Sequence, residues 1–226
     1  MKHCVALIAL LLATLAASAQ QEPEYRLELG AGAGLAAYEG DFNGSLLKGM
    51  QPMGTLVAKY KLNPRMAWAF FLGYAQLKGS SADADTYYPE LDANPVSFKT
   101  NLVDAQVRFE CNFWAFGTGH EYYGAKPWAP FITIGLGLSF ANSGTSAAGL
   151  QMPIGLGVKY KLGKRVNLAT EWTMHFTGTD KLDGVEDPYG IKSSGLFKNT
   201  DCYSVLGLTL TYDLWEKCKT CNNDRD

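Results

Sequence analysis

Few residues in this chain have types and spacings that could do chemistry. His120 and His175 are candidate bases, and Ser139 and Ser204 are candidate nucleophiles. A hydrolase needs nucleophile, base and orienting group within hydrogen-bond reach of one another. On alternating strands His175 and Ser139 point inward, Ser204 takes the opposite parity, and His120 lies in a connection, so no such trio is assembled. Asp180, Asp183, Glu186 and Asp187 crowd one polar stretch. Carboxylates suit calcium, but their spacing matches no EF-hand loop, and solvated loop charge is the simpler reading. Gly30, Gly32 and Gly34 recur at every second position with no helix to follow, so they do not make a phosphate loop. On a strand they share one face and leave room in a narrow lumen. Cys218 and Cys221 form a Cys-x-x-Cys in a polar tail, without the thioredoxin-like helix or the second ligand pair that redox or zinc chemistry uses. A local disulfide in an oxidising compartment is expected there. The net charge of −2 gives no reason to expect nucleic acid. No enzyme activity, cofactor or metal is expected.

The elements that must position these residues are strands. In the stretch Val166–Thr177, Val166, Leu168, Trp172, Met174 and Phe176 alternate with Asn167, Ala169, Glu171, Thr173, His175 and Thr177. A strand sends successive side chains to opposite faces, and a tilted strand of about 9–11 residues crosses a bilayer. The same pattern recurs over 25–38, 52–62, 66–77, 98–113, 128–140, 152–162 and 202–215. No segment with helical periodicity interrupts the order, and after the N-terminus no run approaches the ~18 apolar residues of a helical span. Mean hydropathy is near neutral at −0.09, as when lipid-facing and lumen-facing residues alternate. Lys2 and His3, an apolar run over 5–15 and Ala17-Ser18-Ala19 have the form of a secretory signal cleaved before Gln20. The expected organisation is a signal peptide (1–19), an all-β, eight-stranded antiparallel transmembrane β-barrel of outer-membrane type (20–215), and a polar periplasmic tail (216–226).

Connection lengths orient this barrel. The turns at 63–65 and 162–165 are short. The loops at 40–50, 78–96 and 178–198 are long, and 141–149 is an intermediate loop of small residues. Short turns belong to the periplasm and long loops to the outside, so both termini are expected in the periplasm. The longer connection 114–127 breaks the pattern on the periplasmic side. Tyr25, Tyr60, Trp68, Trp114, Trp128, Tyr160 and Trp215 collect there as an interfacial girdle. Eight strands enclose a lumen that side chains just fill. Parity fills it with a charge network of Arg26, Glu28, Lys59, Asp104, Arg108, Glu110, Lys159 and Glu171, joined by His175. Charges of both signs can satisfy one another in such a network.

Several strings in order resemble the PorG-like outer-membrane barrels of the type IX secretion system of Bacteroidetes. They are the glycine-rich first strand leading to Tyr38-Glu39-Gly40-Asp41-Phe42-Asn43, then Tyr60-Lys61-Leu62-Asn63-Pro64-Arg65, Glu110-Cys111-Asn112-Phe113 and Pro130-Phe131 with Gly135-Leu136-Gly137. Pro153-Ile154-Gly155-Leu156-Gly157-Val158-Lys159-Tyr160, Glu171-Trp172 and Thr179-Asp180-Lys181-Leu182-Asp183-Gly184-Val185 follow. Lys181 stands where the pattern commonly has an aromatic, and the Cys-x-x-Cys tail is outside it. The resemblance implies a non-enzymatic outer-membrane component that anchors a periplasmic ring, with a PorK-like lipoprotein and a PorN-like protein as partners. Tyr122, Tyr123 and Trp128 are the candidate periplasmic docking residues, since aromatics dominate interface cores. The alternative is a general small barrel, adhesin or membrane-stabilising, that works through its outer loops. A lipid-modifying outer-membrane enzyme is a further alternative, with lower weight.

Overall fold

The alternating segments become eight strands, each hydrogen-bonded to the next. The computed structural model describes residues 24–39, 49–80, 97–118, 124–142, 146–179 and 201–216. The strands are β1 (Tyr25–Glu39), β2 (Gln51–Asn63), β3 (Met66–Ser80), β4 (Ser97–Asn112), β5 (Trp128–Asn142), β6 (Ser146–Lys161), β7 (Val166–Thr177) and β8 (Cys202–Glu216). Every neighbouring pair is antiparallel, and β1 pairs with β8 from Tyr25↔Glu216 to Glu39↔Cys202, closing the barrel. Closure leaves no edge strand to recruit another chain. The expected fold class is the fold observed. The expected signal peptide lies outside the described residues.

The stretch 141–149 departs from its expectation as a loop. Ala141 pairs with Ala147, Phe140 with Ala148 and Ser139 with Gly149, so β6 starts at Ser146. Small residues suggest a turn when read alone, but here Ala141 and Ala147 pack inside the wall as part of a buried cluster. At 63–65 the short turn is as expected: the Asn63 side-chain oxygen accepts the Arg65 N–H at 2.8 Å and holds the chain around Pro64.

One end of the barrel carries Glu24, the turns at 64–65 and 162–165, and Glu216; it is the turn end, and the opposite end is the loop end. Outward residues form a continuous apolar wall that includes Leu56, Phe70, Leu72, Ile134, Leu136 (68% exposed) and Leu208. A patch of this extent is lipid-facing surface rather than the scattered exposure of a soluble protein. Tyr60 opposite Trp68 and Trp128 opposite Tyr160 band its turn-end margin. Tyr25 and Arg26 are corrections to the parity reading. Tyr25 is buried and Arg26 is exposed, because alternation fails at the closing margin, where Trp215 takes a left-handed φ of 56°. Tyr25 lies beneath Lys161 and Arg165 instead of joining the girdle.

The inner glycines do more than leave room. A Cβ built on Gly30 would lie 2.1 Å from the Leu210 carbonyl oxygen, so β1 and β8 approach too closely there for any side chain.

Candidate functional site

Among the described residues, most ion pairs lie in the lumen, which is built in layers. Nearest the turn end, Lys61 contacts Glu28 at 2.9 Å and Asp213 at 2.5 Å. Lys161 reaches the other Asp213 oxygen at 2.7 Å and Asn167 at 3.1 Å. Thr211 donates to Glu28. Above them Glu110 divides its carboxylate between Lys59, at 2.6 Å, and Lys159. In the next layer Arg108 meets Glu171 and Thr173, each at 3.2 Å, and donates from Nε to Gln106 at 2.7 Å. Thr133 donates to the same Glu171 oxygen at 2.6 Å, and the Arg108 guanidinium lies 4.2 Å over the Phe71 ring. The inward strand residues include the cations Lys59, Lys61, Arg108, Lys159 and Lys161 and the carboxylates Glu28, Asp104, Glu110, Glu171 and Asp213. The signs match in number among these strand residues, and such matching lowers the cost of burying charge.

The turn end is covered. After β4 the chain folds across the barrel mouth, burying Ala115, Phe116 and Gly117. Phe116 donates its N–H to the Pro64 carbonyl at 3.0 Å, and its ring sits 4.7 Å from the Lys159 ammonium. Thr118 Oγ1 donates to Glu24 at 2.8 Å, latching the segment to the residue before β1. Between this segment and the lumen lies a cavity of about 20 Å³ lined by Lys61, Lys159, Asn112 and Phe116, the space of a single water.

The loop-end half is filled differently. Tyr38, Leu77, Leu102 and Tyr203 are fully buried in one cluster with Met53 and Val205. Tyr38 donates to Asp201 at 2.5 Å. Tyr203 stacks on His175 with ring centroids 4.2 Å apart and donates to the Gln151 side-chain oxygen at 2.6 Å. His175 Nδ1 donates to the same oxygen at 3.0 Å. His175 and Ser139 are both sealed within the wall at 0% exposure. A base held by an amide, with no route for substrate, is positioned as packing. Ser204 keeps the outward parity of its strand but is covered there, at 3% exposure.

Of the residues expected in the lumen network, Glu28, Lys59, Asp104, Arg108, Glu110, Lys159 and Glu171 face inward and Arg26 does not. Lys61, Lys161 and Asp213 belong to the network as well. Their inward parity was legible, but their partners depend on strand register. The buried Tyr38–Tyr203 cluster was not expected, because both faces of those strand ends carry apolar or small residues. Trp128 is described at the start of β5, with Trp114 edge-on to it at 4.5 Å. Tyr122, Tyr123, His120, Cys218, Cys221 and the acidic residues at 180–187 lie outside the described residues. Cys111 is a free thiol.

A family model described as "Domain of unknown function (DUF6089)" matches residues 2–223, so the chain belongs to that family. No curated protein matches it in sequence. Among solved structures it is similar to Neisserial surface protein A, with 14% identity over 83% of this chain and 97% of that one and a TM-score of 0.52. It is also similar to Ail, the attachment invasion locus protein of Yersinia pestis, at 12% identity, 85% and 100% coverage and TM-score 0.47. Outer membrane protein OprG from Pseudomonas aeruginosa matches at 9% identity, 87% and 99% coverage and TM-score 0.42. The first of these shares the fold, a small barrel of the outer-membrane type.

Proposed function

We propose that this DUF6089 barrel is a non-conducting outer-membrane anchor, with its turn end in the periplasm and its work done at the barrel ends. The observation that carries this is the plugged lumen: ion pairs in successive layers, with Phe116 folded beneath them. A barrel plugged in this way offers no open diffusion path. The finer proposal is that it ties a periplasmic ring of the type IX secretion kind to the membrane, with a PorK-like lipoprotein and a PorN-like protein as partners. The ordered strings that resemble PorG-like barrels support this. So does the exposed aromatic margin of Phe113, Trp128 and Trp215 at the turn end, which suits an interface core. The test is to tag the C-terminal tail, extract the outer membrane in mild detergent and identify co-purifying proteins. A ring-forming lipoprotein and its partner are expected. Recovery of the barrel alone, from cells that make both, would overturn the ring reading.

One observation favours the alternative of a general barrel working through its outer loops. The β3–β4 ladder continues to Ser80↔Ser97, with polar side chains pointing outward beyond the apolar wall. Such a platform would carry adhesive or stabilising loops. Under that reading, trimming residues 81–96 abolishes surface attachment and leaves the ring partners untouched.

A further inference from the structure

The ion pairs among the described residues lie in the lumen or at the turn end. Lys78 and Lys99 lie in neither place. They sit on β3 and β4 at the loop end, face outward, and are both exposed. The ladder sets them directly opposite each other. Like charges opposed across an antiparallel pair repel, and neither ammonium has a partner among the described residues. The backbone beneath them cannot relax away, because the alternate residues Leu77, Thr100 and Leu102 are at 0% exposure in the wall.

Their surroundings indicate what would neutralise them. One step toward the apolar wall, Gln76 donates to the Asn101 side-chain oxygen at 3.2 Å in an exposed hydrogen bond. Asn142 stands opposite Asn101 on β5. Next come Tyr74, Val103 and Phe140, all exposed on the lipid-facing side. From the loop end downward the order is therefore paired ammonium groups, side-chain amides, then aromatic and aliphatic surface. An amphiphile presents the same order: a compact anion, ester and hydroxyl groups, then acyl chain.

We propose that Lys78 and Lys99 form a seat for the phosphate of a membrane lipid headgroup, with the acyl chains lying along Tyr74, Val103 and Phe140. Two point-charge ammoniums suit a phosphomonoester, which carries close to two negative charges and three acceptor oxygens. The seat lies on the outer wall beside the apolar surface, where a lipid is already tethered and a soluble phosphate is not. It is independent of any periplasmic partner.

The mature chain in phosphatidylcholine nanodiscs doped with either phosphatidic acid or phosphatidylglycerol, released into the gas phase, reports which lipids it retains. Wild type is expected to retain phosphatidic acid over phosphatidylglycerol. The Lys78→Gln/Lys99→Gln double variant should lose that preference by roughly thirtyfold, two lysine contacts at a lipid surface. Lys78→Arg/Lys99→Arg should keep it, as should Lys164→Gln in the exposed turn at the other end. The heat-dependent electrophoretic shift of folded barrels shows that each variant is folded. Equal retention of phosphatidic acid by wild type and the double glutamine variant would overturn the proposal. So would equal retention of the two lipids by wild type. Inorganic phosphate alone, titrated into detergent-solubilised protein, should bind far more weakly than phosphatidic acid. Comparable binding would make the ligand soluble and would also overturn the proposal.

Discussion

Glu110 shows what a single side chain does in this lumen. It is 1% exposed, and its two oxygens hold Lys59 and Lys159, which come from β2 and β6 on either side of the barrel. Replacing it by glutamine leaves two buried ammoniums facing each other across an amide. Breaking a buried pair from one side typically costs about 3–5 kcal/mol, because the stranded charge cannot be resolvated. Glu110→Gln is therefore expected to lower the urea midpoint of folding into detergent or bilayers by a corresponding amount. Glu216→Gln, which removes the exposed partner of Arg165, should leave the midpoint where it is. A midpoint unchanged by Glu110→Gln would mean that the lumen is wet rather than packed. The inward direction of Lys59, Glu110 and Lys159 was readable from alternation alone. Their sharing of one carboxylate was not, because it depends on how far each strand is displaced along its neighbours. Arg26 failed for a related reason: parity holds only while the strand stays regular, and the chain leaves that regime at Trp215.

Among the elements, the seam between β1 and β8 decides closure, and its glycines are unequal. The Gly30 site has no room for a methyl group, since backbone of β8 stands in the way. At Gly207, on the opposing strand, an added Cβ meets nothing within 4 Å. Overpacking a tight site costs typically ~1–3 kcal/mol, and here the obstacle is main chain that can move only by opening the seam. Gly30→Ala should thus slow or abolish barrel formation, seen as loss of the compact electrophoretic species after refolding into lipid. Gly207→Ala should refold like wild type. Equal behaviour of the two would remove the close-approach explanation for Gly30. The sequence showed glycines on one face of this strand, but which of them touch backbone follows from strand tilt and coiling, which no local pattern encodes. The same limit applies to Ala141, Ala147, Ala148 and Gly149, whose composition suggests a loop but which are paired strand. Length alone marks the connection at 114–127; that Ala115, Phe116 and Gly117 turn inward follows from the charged mouth they cover.

At the scale of the molecule, eight strands were legible because one rule, alternation every second residue, repeats along the whole chain. Their closure followed because an open sheet this apolar on its outer face would leave an unpaired edge in lipid. The filling of the barrel was only half legible. Charged residues announce the turn-end layers, whereas the loop-end cluster of Tyr38, Leu77, Leu102 and Tyr203 is apolar among apolar neighbours and leaves no periodic trace. Together the two halves make successive barriers in series: Phe116 below Lys159, the Glu110 layer, the Arg108–Glu171 layer over Phe71, and the aromatic cluster above. An ion crossing this column would have to displace internal ion pairs in several successive layers. Reconstituted into planar bilayers, the wild-type chain is therefore expected to show no unitary current steps at any voltage the bilayer tolerates. Phe116→Ala should be equally silent, because it removes one barrier and leaves the ion-pair layers intact. Regular, reproducible current steps from the wild type would mean that the column opens, and the protein would then be a conduit rather than an anchor.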